Sequence, residues 1–242
     1  MATHICLPIY NEEKIMAASI KRLLDYLATS PITDWQIVLL INGSNDSSEM
    51  IGQQLVNDYP GKIKLEVIPQ GGKGRAIINY FQKAPADILV YMDIDLAVSL
   101  ADLPALIDAI KQENYDLSFG SRLKPGAKTD RQFIREMSSR AYNLFSRLLL
   151  HHHFYDLQCG FKAMKGTVAK AIMPQIDNQE WFFDTELIVL AHRAGYRLKE
   201  IPVDWQEERY EQRESKIRMF RDAWIFIKKL VGLHFKIKKN HH

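Results

Sequence analysis

Residues 87–95 read Asp87-Ile88-Leu89-Val90-Tyr91-Met92-Asp93-Ile94-Asp95. The run from 88 to 92 is apolar and rich in β-branched and aromatic residues, which predicts a strand, and it stops at two carboxylates. The same pattern recurs on either side. Upstream, His4–Ile9 is a strand ended by Tyr10-Asn11, and a helix runs on to about Ala28 with Asn11 as its expected cap and Glu12 and Glu13 in its first turn. Gln36–Ile41 is a strand ended by Asn42-Gly43-Ser44-Asn45-Asp46, and a second helix separates it from the strand Ile63–Val67. Gly71-Gly72-Lys73-Gly74 opens a helix that runs to about Phe81. Downstream, a helix over 102–113 and a strand Tyr115–Phe119 complete the series. Such alternation predicts an α/β fold: a mostly parallel, doubly wound sheet with helices on both faces. Ligands of such sheets bind beyond the carboxyl ends of the strands, and every polar motif above lies at such an end.

The second half is less regular. Arg131–Leu150 and Trp181–Ala194 read as helices, Arg197–Val203 as a strand and Glu207–Ser215 as a charged loop. No linker rich in Pro, Gly or Ser divides the chain, so one domain over 1–215 is expected, then a basic helix over 216–239 and a short tail, 240–242, resembling a tag remnant. Of 242 residues 47% are hydrophobic, enough for a full globular core. Cys6 and Cys159 match no metal or redox spacing, which favours a reducing compartment. No secretory signal opens the chain, and no apolar run nears the roughly 18 residues of a membrane span. A cytoplasmic protein is expected.

Charge is uneven. Residues 216–239 hold eight Lys or Arg and one Asp, a local +7 within a whole-chain +3. As a helix, Ile217–Phe235 places Ile217, Phe220, Trp224, Ile227 and Val231 on one side, widened by Met219, Ala223, Phe226, Leu230 and Leu233. A broad apolar face flanked by Lys and Arg suits a membrane surface; it equally suits packing on the domain or a partner. No nucleic-acid motif accompanies the charge, so nucleic acid is set aside, and the oligomeric state stays open.

Two carboxylates at a sheet mouth repel unless a cation lies between them. Asp93 and Asp95 therefore form a candidate Mg²⁺ or Mn²⁺ site shared with substrate phosphates; the alternative is one helix cap and one solvated side chain. Gly72-Lys73-Gly74-Arg75 either offers N–H groups and a Lys charge to a phosphate or is a tight strand-to-helix turn. It lacks the spacing of a P-loop. His151–His153 reads as a solvated turn rather than a metal site.

Taken in order, LPIYNEE at 7–13, NGSND at 42–46, GGKGRA at 71–76, MDIDLA at 92–97, FGSR at 119–122, DLQCGFKA at 156–163, WFFDTELIVLAHRAGY at 181–196, KEIPVDW at 199–205 and SKIRMFRD at 215–222 resemble family 2 glycosyltransferases. The branch they look most like glycosylates dolichyl or other polyprenyl phosphates. The resemblance implies a GT-A fold and inverting transfer from UDP-glucose or GDP-mannose to a polyprenyl phosphate; the basic amphipathic tail, in place of the membrane-spanning helices that relatives often carry, leads to the expectation of a peripheral seat on the cytoplasmic face of a membrane. It implies that Pro8, Tyr10, Glu12, Asn42, Asp46 and Lys73 line the nucleotide-sugar pocket. Asp93 and Asp95 would hold the metal and diphosphate, Arg122 and Arg135 the acceptor phosphate, and Ser215 and Lys216 would lie near the phosphates of donor or acceptor. Asp156 and Gln158 would be further substrate contacts. The chain departs from the family at Ile41-Asn42, where two acidic residues are common, and at Ala97, where many relatives have Gln.

A phosphate monoester has a second pKa of about 6 and is already a nucleophile at neutral pH. The site must then supply positive charge and in-line geometry rather than a base. Asp184 and Glu186 stay open: base for a hydroxyl acceptor, sugar or arginine ligand, or, for Asp184, a helix N-cap. Transfer to a soluble or protein hydroxyl, and an idle nucleotide-sugar-binding protein, are the competing functions.

Overall fold

The structure is a computed structural model that describes the backbone of residues 1–130, 133–206 and 219–239, with side chains undescribed at 131–135 and 219–224. The apolar runs of the first half form β1 (Thr3–Ile9), β2 (Trp35–Asn42), β3 (Ile63–Ile68) and β4 (Ile88–Met92). Between them lie α1 (Glu13–Thr29), α2 (Ser48–Asp58) and α3 (Lys73–Phe81). Then follow α4 (Leu103–Lys111), β5 (Leu117–Ser121), β6 (Lys128–Asp130), α5 (Phe133–Leu150) and β7 (Phe161–Lys165). The chain continues through α6 (Gly166–Ile172), α7 (Phe183–Arg193), β8 (Leu198–Pro202), β9 (Asp204–Gln206) and α8 (Met219–Lys239).

Seven strands make one sheet in the order β3-β2-β1-β4-β7-β5-β8. β1 pairs in parallel with both β2 and β4. The chain therefore winds outward through β2 and β3, then crosses back to the other flank of β1. That reversal opens a crevice at the carboxyl ends of β1 and β4, the place where such sheets bind ligands. One strand of this sheet was not foreseen, nor was the small separate pair of β6 with β9. β7 lies antiparallel between β4 and β5, with Met92 opposite Phe161 and Leu117 opposite Met164. Its sequence, Phe-Lys-Ala-Met-Lys, carries a charge at its second residue, which masks a buried strand.

Helices cover both faces, as expected. α1 buries Ile15, Met16, Ser19, Ile20, Leu23, Leu24 and Leu27, the spacing of one helical stripe. It packs with α4 residues such as Leu103, Leu106 and Ile107 on one side of the sheet. α3, α6 and α7 cover the other side, where Leu230, Leu233 and Ile237 of α8 join the same core.

The apolar face expected on the last helix is thus divided. The row through Phe226, Leu230, Leu233 and Ile237 packs inward, and His234 Nδ1 lies 2.9 Å from the Leu149 carbonyl of α5. Ile227, Val231 and Phe235 remain exposed. The expected domain boundary at 215 and the Glu207–Ser215 loop lie outside the described residues. So do Ser215 and Lys216.

Candidate active site

Two motif loops are bound to each other at the end of β1 and β2. Asn11 takes a positive φ of 52° and does not cap α1; its Oδ1 accepts from Asn45 N at 2.8 Å. Asn11 N donates to Ser44 Oγ at 3.1 Å and Glu12 N to Ser48 Oγ at 3.0 Å. Asp46 accepts from Glu13 N and Ser48 N, both at 3.0 Å. Burial alone would raise the Asp46 pKa, but these bonds and the Ser48 hydroxyl hold it lower.

Asn42 is buried and acts as a brace. Its amide donates to Ile9 O at 2.8 Å, and its Oδ1 accepts from Gly72 N at 3.0 Å. Gly43, at φ +59°, passes so close to the next loop that a Cβ would fall 2.4 Å from Gly71 N. Pro8 is half-buried before these loops, Glu12 is buried, and Tyr10 stays exposed beside Gly71.

The Gly-rich segment is a tight turn whose glycines admit another loop. A Cβ on Gly72 would fall 2.6 Å from Gln179 O, and one on Gly74 2.7 Å from Phe183 Cβ and 2.8 Å from Asn178 O. Lys73, held between them, is buried. Its ammonium lies 2.9 Å from Asp93 Oδ1 and 3.2 Å from Asp184 Oδ2. Burial opposes its charge, but the Asp184 and Asp93 carboxylates outweigh that and raise its pKa.

Asp184 lies in the first turn of α7, two residues beyond the N-cap position, and caps nothing. Its Oδ1 takes the Tyr91 hydroxyl and, at 2.5 Å, the fully buried Lys162 ammonium. Lys162 also donates to Cys159 O at 2.6 Å. Burial would raise the Asp184 pKa; Lys162 and Lys73 override it and hold the carboxylate below its ordinary value. The result is an alternating chain of charge, Lys162–Asp184–Lys73–Asp93, running from the core to the crevice.

Asp93 and Asp95 follow β4 in a turn closed by Leu96 N to Asp93 O at 3.1 Å, with Leu96 at a positive φ of 49°. A non-glycine residue in this region is strained, and such strain clusters at functional sites. Asp93 also donates its N–H to Gly160 O at 3.1 Å, and the carboxylate rests where a Cβ would stand: a Cβ on Gly160 would fall 2.1 Å from Asp93 Oδ2 and push the carboxylate aside. Asp95 Oδ1 accepts from Ala97 N at 3.1 Å. Two carboxylates offer hard oxygen ligands, and no cluster of three or more His, Cys, Asp or Glu suited to a metal occurs among the described residues. A cation held by this pair would complete its shell with phosphate oxygens and water, as Mg²⁺ commonly does, and would share Asp93 with the Lys73 ammonium.

On the far flank, Arg122 directly follows β5 and forks onto Asp156, Nε to Oδ2 at 2.7 Å and Nη2 to Oδ1 at 3.0 Å. Burial would raise the Asp156 pKa, but the guanidinium pulls it down to about 2. Asp156 is thus the counter-ion of Arg122, and Gln158 N donates to the same carboxylate at 3.1 Å. The side chain of Arg135 lies outside the described residues. The Glu186 oxygens accept from Asp177 N, Asn178 N and Lys236.

The structure thus brings Lys73, Asp93 and Asp184 together, with Asp95 in the same turn. The sequence reading missed Lys162, Tyr91 and Gly160 as parts of this cluster. A lysine inside the apolar run Phe161–Met164 was the available signal. Of the histidine triplet, His152 is buried against Ser146 Oγ at 2.9 Å rather than solvated.

A sheet reversing between β1 and β4, with paired carboxylates at that crevice, defines the GT-A class of nucleotide-binding fold. The chain belongs to glycosyl transferase family 2, whose model matches residues 4–173. It is 32% identical over 219 residues to glycosyltransferase AglD of Haloferax volcanii, covering 90% of this chain and 34% of that protein. It is 29% identical over 211 residues to dolichyl-phosphate beta-glucosyltransferase ALG5A of Trichomonas vaginalis, covering 84% and 65%. The dolichyl-phosphate beta-glucosyltransferase of Drosophila melanogaster is 27% identical over 245 residues, covering 94% and 75%. The chain thus spans about a third of the first relative and just under two thirds of the second. Among solved structures, glucosyl-3-phosphoglycerate synthase of Mycobacterium tuberculosis, in complex with Mn²⁺, UDP-glucose and phosphoglyceric acid, superposes with a TM-score of 0.67 at 16% identity. It covers 96% of this chain and 79% of that one, a likeness of fold.

Proposed function

We propose that this chain transfers a hexose, with inversion, from a nucleotide-diphosphate sugar to a polyprenyl phosphate at a membrane surface. The observation that carries the proposal is the buried Lys73 ammonium set between Asp93 and Asp184 at the mouth of the sheet. Shared between two carboxylates, that ammonium could turn toward a diphosphate once a divalent cation takes up the charge of Asp93 and Asp95. The names of the relatives support a dolichyl-type lipid phosphate as acceptor and favour glucose over mannose.

In this mechanism an oxygen of the lipid phosphate forms the bond to the anomeric carbon. The bond from that carbon to the diphosphate oxygen breaks, and the nucleoside diphosphate leaves with the electron pair. A divalent cation held by Asp93 and Asp95 would neutralise charge on that leaving group. Lys73 would hold the diphosphate, and Arg122, whose Nε and Nη2 are taken by Asp156, would offer its remaining Nη1 N–H groups to the acceptor phosphate. Tyr10 offers an exposed ring to the nucleotide base; Pro8, Glu12, Asn42 and Asp46 shape and brace that pocket. Asp184 is committed to two ammonium groups and a phenol with its pKa held down, which speaks against a base for a hydroxyl acceptor.

No helix among the described residues is long and apolar enough to cross a membrane. The exposed Ile227, Val231 and Phe235, with Lys228 and Lys229 beside them, support peripheral seating on an anionic surface. The buried free thiols of Cys6 and Cys159 support a cytoplasmic setting.

The test is transfer of labelled hexose from UDP-glucose and from GDP-mannose to a short polyprenyl phosphate, with Mn²⁺ and with EDTA. Label should enter the lipid fraction from UDP-glucose, vanish with EDTA, and fall at least ~100-fold in Asp95→Asn. Transfer that survives EDTA removes the metal. Label from GDP-mannose alone reverses the sugar, and none from either donor removes the acceptor.

A further inference from the structure

Glu186 is 3% exposed in the first turn of α7, and its hydrogen bonds run toward the 175–178 segment and the last helix. Its Oε1 accepts from Asp177 N at 3.2 Å and its Oε2 from Asn178 N at 2.9 Å. The Lys236 ammonium of α8 lies 2.9 Å from the same Oε1, 2.7 Å from Asp177 Oδ2 and 2.7 Å from Gln175 O. One cation from the last helix thus gathers three acceptors around a single buried carboxylate.

The segment they fix leads straight to the Gly-rich turn. Gln179 O accepts from Arg75 N at 2.9 Å, and the Asn178 and Gln179 backbone occupies the space a Cβ would need at Gly72 and Gly74. Lys73 lies between those glycines. The first turn of α7 therefore grips Lys73 twice: Asp184 holds its ammonium, and Glu186 holds the loop packed on its backbone. Burial disfavours the Lys236 charge, but Asp177 and Glu186 outweigh it and raise its pKa, so the clasp stays charged near neutrality.

We infer that Glu186 is a positioning residue which, clasped by Lys236, ties the seating of the C-terminal helix to the backbone that presents Lys73 to the donor diphosphate. This rests on the donor assignment proposed above. A base role for Glu186 is not needed: its two oxygens already accept two backbone N–H groups and an ammonium.

The experiment compares wild type, Lys236→Met, Lys236→Arg and Glu186→Gln. UDP binding is measured by calorimetry, KM for UDP-glucose and for the lipid phosphate by turnover, and hydrogen exchange over residues 72–76 without ligand. Lys236 is partly exposed, so its variants are expected to fold even where Glu186→Gln does not. Lys236→Met should speed exchange at the Arg75 amide and raise Kd for UDP and KM for UDP-glucose about 5- to 10-fold, or ~1 kcal/mol. The lipid-phosphate KM and kcat should stay within about twofold, and Lys236→Arg should restore wild-type behaviour. In the double variant Glu186→Gln/Lys236→Met the losses should not add, as expected of groups acting as one unit. Unchanged exchange overturns the clasp, and faster exchange with wild-type UDP affinity overturns its link to the donor. If wild type binds no UDP, the donor assignment fails and this inference with it; if wild type binds and Lys236→Met binds equally, only the inference fails.

Discussion

Asp184 shows how much one carboxylate's neighbours decide. It sits 2% exposed with Lys73 and Lys162 against it and the Tyr91 hydroxyl on the same oxygen as Lys162. Neutralising it leaves the buried Lys162 ammonium without a counter-charge and Lys73 with Asp93 alone, and breaking buried pairs of this kind costs about 3 kcal/mol or more. Asp184→Asn should therefore lower Tm by about 6–12 °C, measured calorimetrically, and weaken UDP binding along with turnover. A base would behave otherwise: the Asn variant would melt like wild type, bind UDP normally and lose only kcat. The sequence marked Asp184 as important but not why, because its partners lie 22 and 111 residues away along the chain. Asp93 and Asp95 were legible because a strand end and its carboxylates are neighbours in sequence.

At the scale of elements, the turn at 72–74 is shaped by what lies on top of it. Gly74 carries no positive φ, yet a Cβ there would meet Phe183 Cβ at 2.7 Å, Asn178 O at 2.8 Å and Gln179 C at 2.9 Å. Two of these are backbone atoms that cannot swing aside. Gly74→Ala should cost about 1–3 kcal/mol and raise the donor KM, read by urea unfolding and turnover. Gly232→Ala is the matched control. It lies in α8 with nothing within 4 Å of the added Cβ, and should stabilise by about 0.5–1 kcal/mol. The four parallel strands of the first half were legible within a residue or two, because each is an apolar run punctuated by Gly, Asn or Asp. β7 was not, because its second residue, Lys162, spends its charge on a buried acid no local pattern reveals. The last helix was legible as amphipathic, but which of two adjacent apolar rows packs inward is settled only by α5 and the core beneath it.

For the molecule as a whole, α5 and α8 pack together and leave apolar side chains outward on both. Leu144, Phe145 and Leu148 of α5 are exposed, as are Ile227, Val231 and Phe235 of α8. Leu148 and Phe235 flank the Leu149–His234 contact that joins the helices. A paired-helix surface with flanking lysines should bind phosphatidylserine vesicles in a sedimentation assay and release in high salt. Leu148→Glu/Phe235→Glu should reduce that partitioning about tenfold or more while UDP affinity is unchanged. Vesicle binding that ignores both substitutions would place the contact elsewhere.

The antiparallel β7 also has a consequence during synthesis. β4 is complete by Met92, but the strand that covers its open edge begins at Phe161. At about 5–20 residues per second, a ribosome needs roughly 4–14 s to supply it. Through that interval the nascent chain carries β4 with an uncovered hydrogen-bonding edge, a template for pairing with other chains. The Asp93 amide finds its acceptor, Gly160 O, only when this gap closes. The crevice is therefore among the last parts of the emerging chain to take shape, and a polypeptide halted near residue 150 would be sticky and catalytically empty.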